Sequence, residues 1–308
     1  MVPTLIVPLI GSVESVHVLQ SARAAARTSG GRLVLLRAVP HRHPPARRGD
    51  EARLRLELES LAHELHRDGI AVDAQVRRAE PGAAIVDAVR EFDASAIVRS
   101  SDVGNDLAGW LRRTIVDEVM HQIRIPVLII PAGEVMAPAP GPQLRVLVPL
   151  DGSALAESAL VHLLEIAGSR SLEVRLVGVV HLRLGPLGAV LPSVPDLETE
   201  RRATTRYLHD LAATLRARGV VTQTDLVESQ DSVGRALLDV ARRSVVDVVA
   251  MAARRLNTRG DHRLGAVAAE VLEHSPVPVL LVPSPSGMQP AGLVRQDGQP
   301  PLVEMVQP

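Results

Sequence analysis

The chain has 308 residues, enough for two domains of ordinary size, and 46% of them are apolar against 22% charged, a globular rather than a disordered composition. A formal net charge of −1 gives no field to recruit nucleic acid or an anionic membrane, and no run nears the ~18 apolar residues of a spanning helix. With no cysteine, disulfides, zinc thiolates, iron–sulfur ligation and thiol catalysis are excluded, and a reducing, cytoplasmic setting is expected.

The first predicted strand is the β-branched run 4–9. Gly11-Ser12 follows, with Ser12 placed to cap a helix that runs to about Thr28 and is stopped by Gly30-Gly31. A second strand, 32–39, leads into a basic, Pro-rich loop, 41–48. The next helix runs from about Asp50 to Arg67, and Gly69 ends it. Its Leu54, Leu58, Leu61 and Leu65 form one apolar stripe, read as core rather than as a partner groove. Strand 70–76, helix 82–91, strand 94–98, helix 109–122 and strand 126–131 complete the half-chain. Strands alternating with helices predict a parallel sheet covered on both faces. Phe92, Trp110 and Tyr207 are the only aromatics, so Val, Leu, Ile and Ala must build the core, as suits such a sheet.

The second half repeats the first. Leu5-Ile6-Val7-Pro8-Leu9-Ile10-Gly11-Ser12 returns as Val146-Leu147-Val148-Pro149-Leu150-Asp151-Gly152-Ser153, and the phrase 125–131 returns at 277–283. Since the opening phrase recurs mid-chain, its first copy reads as a strand rather than a signal peptide. Strands are predicted near 145–150, 173–180, 220–227, 246–251 and 278–283, and helices near 153–168, 196–218, 232–243 and 262–274. The copies are offset by 141 residues through the second strand and by 152 from the third, which implies an 11-residue insertion within 181–196, a surface loop. The duplicated domains are thus 1–133 and 144–284, with a linker at 134–143 and a tail at 285–308 expected to be disordered.

In an open parallel sheet, ligands bind beyond the carboxyl ends of the strands, where strand order reverses. Three segments should meet there in each copy: 10–12 or 151–153, Val39 or Val179-Val180, and 99–114 or 251–266. Arg99, Arg113, Arg254, Arg255 and Arg259 gather around these mouths. They read either as guanidinium donors replacing backbone amides toward a phosphate, or as surface and pocket-filling arginines paired with carboxylates. Other patterns carry less. His63 and His66 lack metal-site spacing and read as a solvated helix face, as do His41 and His43 in their loop. Ser153 reads as a helix cap rather than a hydrolase nucleophile, and Tyr207, Leu208, Leu211 and Leu215 as a core stripe.

In their order and spacing, these phrases resemble the universal stress protein family in tandem two-domain form. The matching segments of the second copy are 146–153, 246–251, 264–268 and 277–282; those of the first are 5–12, 94–98, Trp110-Leu111 with Thr114, and 125–131. The resemblance implies an adenine-nucleotide (ATP) site built from an Asp after strand one, a Val on strand two and a motif G-x2-G-x9-G-[S/T] after strand four. Glycines there let amides approach phosphate oxygens beside a helix N-terminus. In the second copy Asp151, Val179 and Gly265 match, while Ala252, Arg255 and Ala266 replace the first two glycines and the Ser/Thr; Met251 and Val267 complete the implied site. In the first copy Ile10, Ser100, Val103 and Arg113 replace the Asp and the three glycines, and only Thr114 matches.

The resemblance implies two five-stranded, mostly parallel α/β domains whose last strands, 127–130 and 279–282, self-associate, with a homodimer as a further step. Each would otherwise be a bare apolar edge. The expected function is a non-enzymatic stress-response module with ATP in the second domain only. The alternatives are a ligand-independent scaffold for a protein partner, or an ATP-hydrolysing enzyme, against which the altered phosphate loop argues.

Overall fold

The computed structural model describes residues 3–9, 15–40, 50–100, 125–131, 143–167, 171–182, 197–253 and 265–283. Ser12, the 41–48 loop, the helix expected at 109–122, the linker up to residue 142, most of the insertion, Arg255 and the tail lie outside the described residues, and Gln143, expected in the linker, opens a strand. The chain divides into two compact units, the described elements up to residue 131 falling in the first and those from residue 143 in the second.

The first unit contains β1 (Thr4–Leu9), α1 (Ser15–Ser29), β2 (Arg32–Ala38), α2 (Asp50–Arg67), β3 (Val72–Arg77), α3 (Pro81–Glu91), β4 (Ala96–Ser100) and β5 (Val127–Ile130). The strands lie in the order β3-β2-β1-β4-β5, all paired parallel. The second unit repeats this with β6 (Gln143–Pro149), α4 (Ala154–Ala167), β7 (Ser171–His181), α5 (Leu197–Ala217), β8 (Val221–Ser229), α6 (Val233–Arg243), β9 (Val248–Ala253), α7 (Ala266–His274) and β10 (Val279–Pro283). Its order is β8-β7-β6-β9-β10, again parallel throughout. Each unit is an open α/β sheet, and strand order reverses between β1 and β4 and between β6 and β9.

Continuous apolar runs make these central strands. Leu33, Val34, Leu35 and Leu36 are all buried, which requires helices on both faces of the sheet. On one face Ile6, Val34, Leu36 and Ile97 pack with Ala84, Ile85, Ala88 and Val89 of α3. The leucine stripe of α2 turns to the core, Leu58 and Leu65 being buried, while His63 and His66 are exposed. Across α4 and α5, the hydroxyl of Tyr207 donates to Glu157 Oε1 at 3.1 Å, and Glu157 is buried. On the sheet of the second unit a charged lattice joins three strands: Arg145 pairs with Glu173 at 3.8 Å, Gln223 Nε2 donates to Glu173 Oε1 at 3.0 Å, and Arg175 pairs with Asp225 at 2.6 Å.

Helix ends explain the register between the copies. α2 closes on Gly69 (φ 78°), with the Gly69 amide donating to His66 and that of Ile70 to Leu65. α5 closes identically on Gly219 (φ 81°), with donors Gly219 to Arg216 and Val220 to Leu215. Both turns need a left-handed residue, which glycine takes without Cβ strain. The pair Gly69 and Gly219 fixes the offset at 150, not 152, through the third strand. The strand pairing agrees, since Leu33 faces Val72 as Val174 faces Thr222. Nine of the eleven extra residues therefore enter after β7, and two more enter by the start of α6. The expected single insertion missed these two because loop sequence carries no periodicity to count against. They lengthen the β7–β8 pairing, which continues through Val180 with Glu228 and His181 with Ser229.

Candidate functional site

β6 ends in Pro149, and the Leu150 amide still donates to Val177 O at 2.9 Å. The chain then turns through Asp151, Gly152 and Ser153 into α4. Gly152 makes the turn with φ 78°. Ser153 is 3% exposed, and its Oγ accepts from the Ala156 amide at 3.1 Å, the N-cap that its place before the helix requires. The same hydroxyl donates to Asp151 Oδ1 at 2.5 Å, and the Ser153 amide donates to that oxygen at 2.9 Å. Asp151 itself is exposed at the carboxyl end of the sheet. Sequence reasoning found the cap and missed the grip on Asp151. The signal was there in the Asp-x-Ser spacing, which lets a carboxylate accept from the amide two residues on.

Across the strand-order reversal, β9 ends with Met251 buried and Ala252 half-buried. α7 opens at Gly265 (φ −55°, ψ 143°), which offers no side chain to cap the helix, and the Ala269 amide bonds to the Gly265 carbonyl at 3.0 Å. A Cβ built on Gly265 would meet nothing within 4 Å. Neither backbone conformation nor packing against the described residues therefore demands glycine here, at the approach to the first amides of α7. Those of Ala266 and Val267 lead a helix whose dipole favours an anion at this end. α6 differs, since its cap Ser232 accepts from the Arg235 amide at 3.2 Å and donates to Glu270 Oε1 at 2.6 Å.

Val179 is half-buried near the end of β7, on the far side of β6 from β9. The structure thus brings Asp151, Val179, Met251 and Ala252 to the carboxyl edges of three adjacent strands. Gly265, Ala266 and Val267 lie at the start of the helix that precedes β10. Arg255 is outside the described residues.

The first unit differs at each comparable point. Ala38, opposite Arg77, is the twin of Val179, opposite Val227; Val39 lies one residue beyond. Arg99 stands opposite Ile129 on β4, as Met251 stands opposite Leu281 on β9. Arg99 is only 9% exposed, and burial pushes its guanidinium down to about 9. Ile10, Val103, Arg113 and Thr114 lie outside the described residues.

The universal stress protein family model matches the chain twice, over residues 1–131 and 144–283. Among solved structures, a universal stress protein from Archaeoglobus fulgidus DSM 4304 is similar at 18% identity and TM-score 0.62, over 92% of this chain and 97% of that one. A functionally unknown protein from Pseudomonas aeruginosa PAO1 is similar at 17% identity and TM-score 0.54, over 92% and 93%. At these identities the likeness is one of fold. No curated protein matches. Two matches that together span most of the sequence, on two units with the same strand order, lead to one conclusion: the chain belongs to the universal stress protein family.

Proposed function

We propose that the second unit binds an adenine nucleotide, ATP, that the first unit does not, and that the chain serves in the cytoplasm as a non-enzymatic, nucleotide-sensing module of the stress response. The observation that carries this reading is the pairing of two complementary groups across the β6–β9 reversal. On one side Asp151 presents a carboxylate, which can only accept hydrogen bonds. On the other, the start of α7, whose cap residue Gly265 has no side chain to accept from them, presents amides, which can only donate. A nucleotide needs both, an acceptor for its sugar or base donors and donors for its phosphates.

Strand order distributes the ligand. The base would lie by Val179 on β7, the ribose by Asp151 on β6, and the phosphates toward Ala252, Gly265, Ala266 and Val267. The non-enzymatic reading is supported by Ala252 and Arg255, which stand where the family's phosphate loop has glycines. In the first unit Arg99 takes the strand position of Met251, which favours a structural role for that copy.

The test is calorimetric titration of the whole chain with ATP and Mg²⁺, beside Asp151→Ala. One site per chain, weakened about tenfold or more in the variant, is the expected result. The absence of heat at millimolar ATP from the folded protein would overturn the reading and favour a ligand-independent scaffold.

A further inference from the structure

We propose that Ser153 is a positioning residue that aims Asp151 and thereby makes the second unit selective for nucleotides that keep their ribose hydroxyls. This rests on the nucleotide reading above. Ser153 sends two donors, its amide and its hydroxyl, to the same oxygen of Asp151, Oδ1. Two bonds converging on one oxygen fix the plane of the carboxylate, and no described residue donates to Oδ2. The hydroxyl has a single proton, and Asp151 takes it. Its lone pair takes the Ala156 amide, so the Ser153 rotamer is held from both ends. Ser153 is nearly fully buried, and it lends that order to a carboxylate which is itself exposed.

Oδ2 can only accept, so it selects a donor and rejects a phosphate oxygen. Its place selects which donor. β6 lies between β7 and β9, so Asp151 sits midway between the base end and the phosphate end of the site. The donors midway along a nucleotide are the ribose 2′- and 3′-hydroxyls. A carboxylate free to rotate would lose most of its discrimination, because ordering it on binding costs side-chain entropy that Ser153 has already removed.

The experiment measures Mg²⁺-dependent binding of ATP and of 2′,3′-dideoxyATP to the full chain. Wild type, Ser153→Ala, Ser153→Gly and Ser153→Thr are compared after circular dichroism shows each folded. Glycine is itself a tolerated cap, so at least one hydroxyl-free variant keeps α4 intact. Wild type should prefer ATP by about tenfold or more, as for a hydrogen bond to a charged group. The Ala and Gly variants should bring the two ligands within about twofold of each other, and Thr should restore the preference. A preference that survives loss of the hydroxyl overturns the role given to Ser153. Equal binding of both ligands by wild type overturns it too, while leaving the nucleotide reading intact. Failure of wild type to bind either ligand at millimolar concentration removes the reading itself, and this inference with it.

Discussion

Val34 and Arg175 hold the same strand position in the two units. Val34 lies between Ile6 and Asp73, and Arg175 between Leu147 and Gln223. Val34 is wholly buried beneath α3, whereas Arg175 is half-buried and reaches Asp225 at 2.6 Å. The twin of Asp225 in the first unit is Gln75, opposite Leu36 as Asp225 is opposite Val177. One copy thus solves with packing what the other solves with an ion pair. Arg175→Val alone should cost about 1 kcal/mol, a modest figure because both groups are partly solvated. Adding Asp225→Gln should recover it, since the pair would then match the first unit. Urea unfolding of the single and double variants checks this, and strict additivity would sink it.

Glu270 lies against the start of α6. Its carboxylate accepts from Ser232 Oγ at 2.6 Å, and its Cβ and Cδ would each sit 2.9 Å from a Cβ added at Gly234. Gly234→Ala should therefore destabilise the second unit by about 1–3 kcal/mol through overpacking, despite the better helix propensity of Ala. A melting temperature equal to that of wild type would show that α7 yields freely.

Gly152 turns the chain from β6 into α4 with φ 78°. A side chain there meets left-handed strain, so Gly152→Ala should cost about 1–2 kcal/mol. Strain at this turn also moves the Ser153 donors away from Asp151, so the same substitution should weaken ATP binding. A variant as stable as wild type would show that the turn has another conformation open to it.

Acid should loosen the start of α5. The Arg202 guanidinium, hydrogen-bonded to Glu198 at 2.6 Å, holds that carboxyl below its ordinary 4.5. A depressed carboxyl contributes stability in full above its unfolded value and loses it as pH falls through the folded one. Glu198→Gln should therefore be the less stable protein near neutral pH and converge with wild type below about pH 4. Parallel melting curves across the whole range would exclude the linkage.

Repetition made most of the fold legible. β1 was read to the residue, and Gly30 and Gly69 ended helices where their left-handed φ of 64° and 78° now place them. Periodicity identified the buried side of α2, and the Asp-Gly-Ser phrase located the turn at the end of β6. The two residues added beside β8 were misplaced, because a longer strand pair looks like loop when its partner strand is unknown. The offsets of 152 and 141 already set Arg99 against Met251 and Ala38 against Val179, and the strand pairing agrees; that Arg99 is buried needed the structure. The double grip of Ser153 on Asp151 was signalled by the Asp-x-Ser spacing, and the left-handed turn at Gly152 completes it.

Tyr207 is the sole tyrosine in the chain, and its hydroxyl rests on Glu157, one turn along the helix that Ser153 begins. The sole tryptophan, Trp110, belongs to the first half of the sequence. Nature has thus left each copy with its own chromophore. Excitation at the red edge reaches Trp110 alone and so follows the first copy without a label, whereas light that excites Tyr207 excites Trp110 as well. Phenol absorbance will report any displacement that a ligand at Asp151 passes down α4.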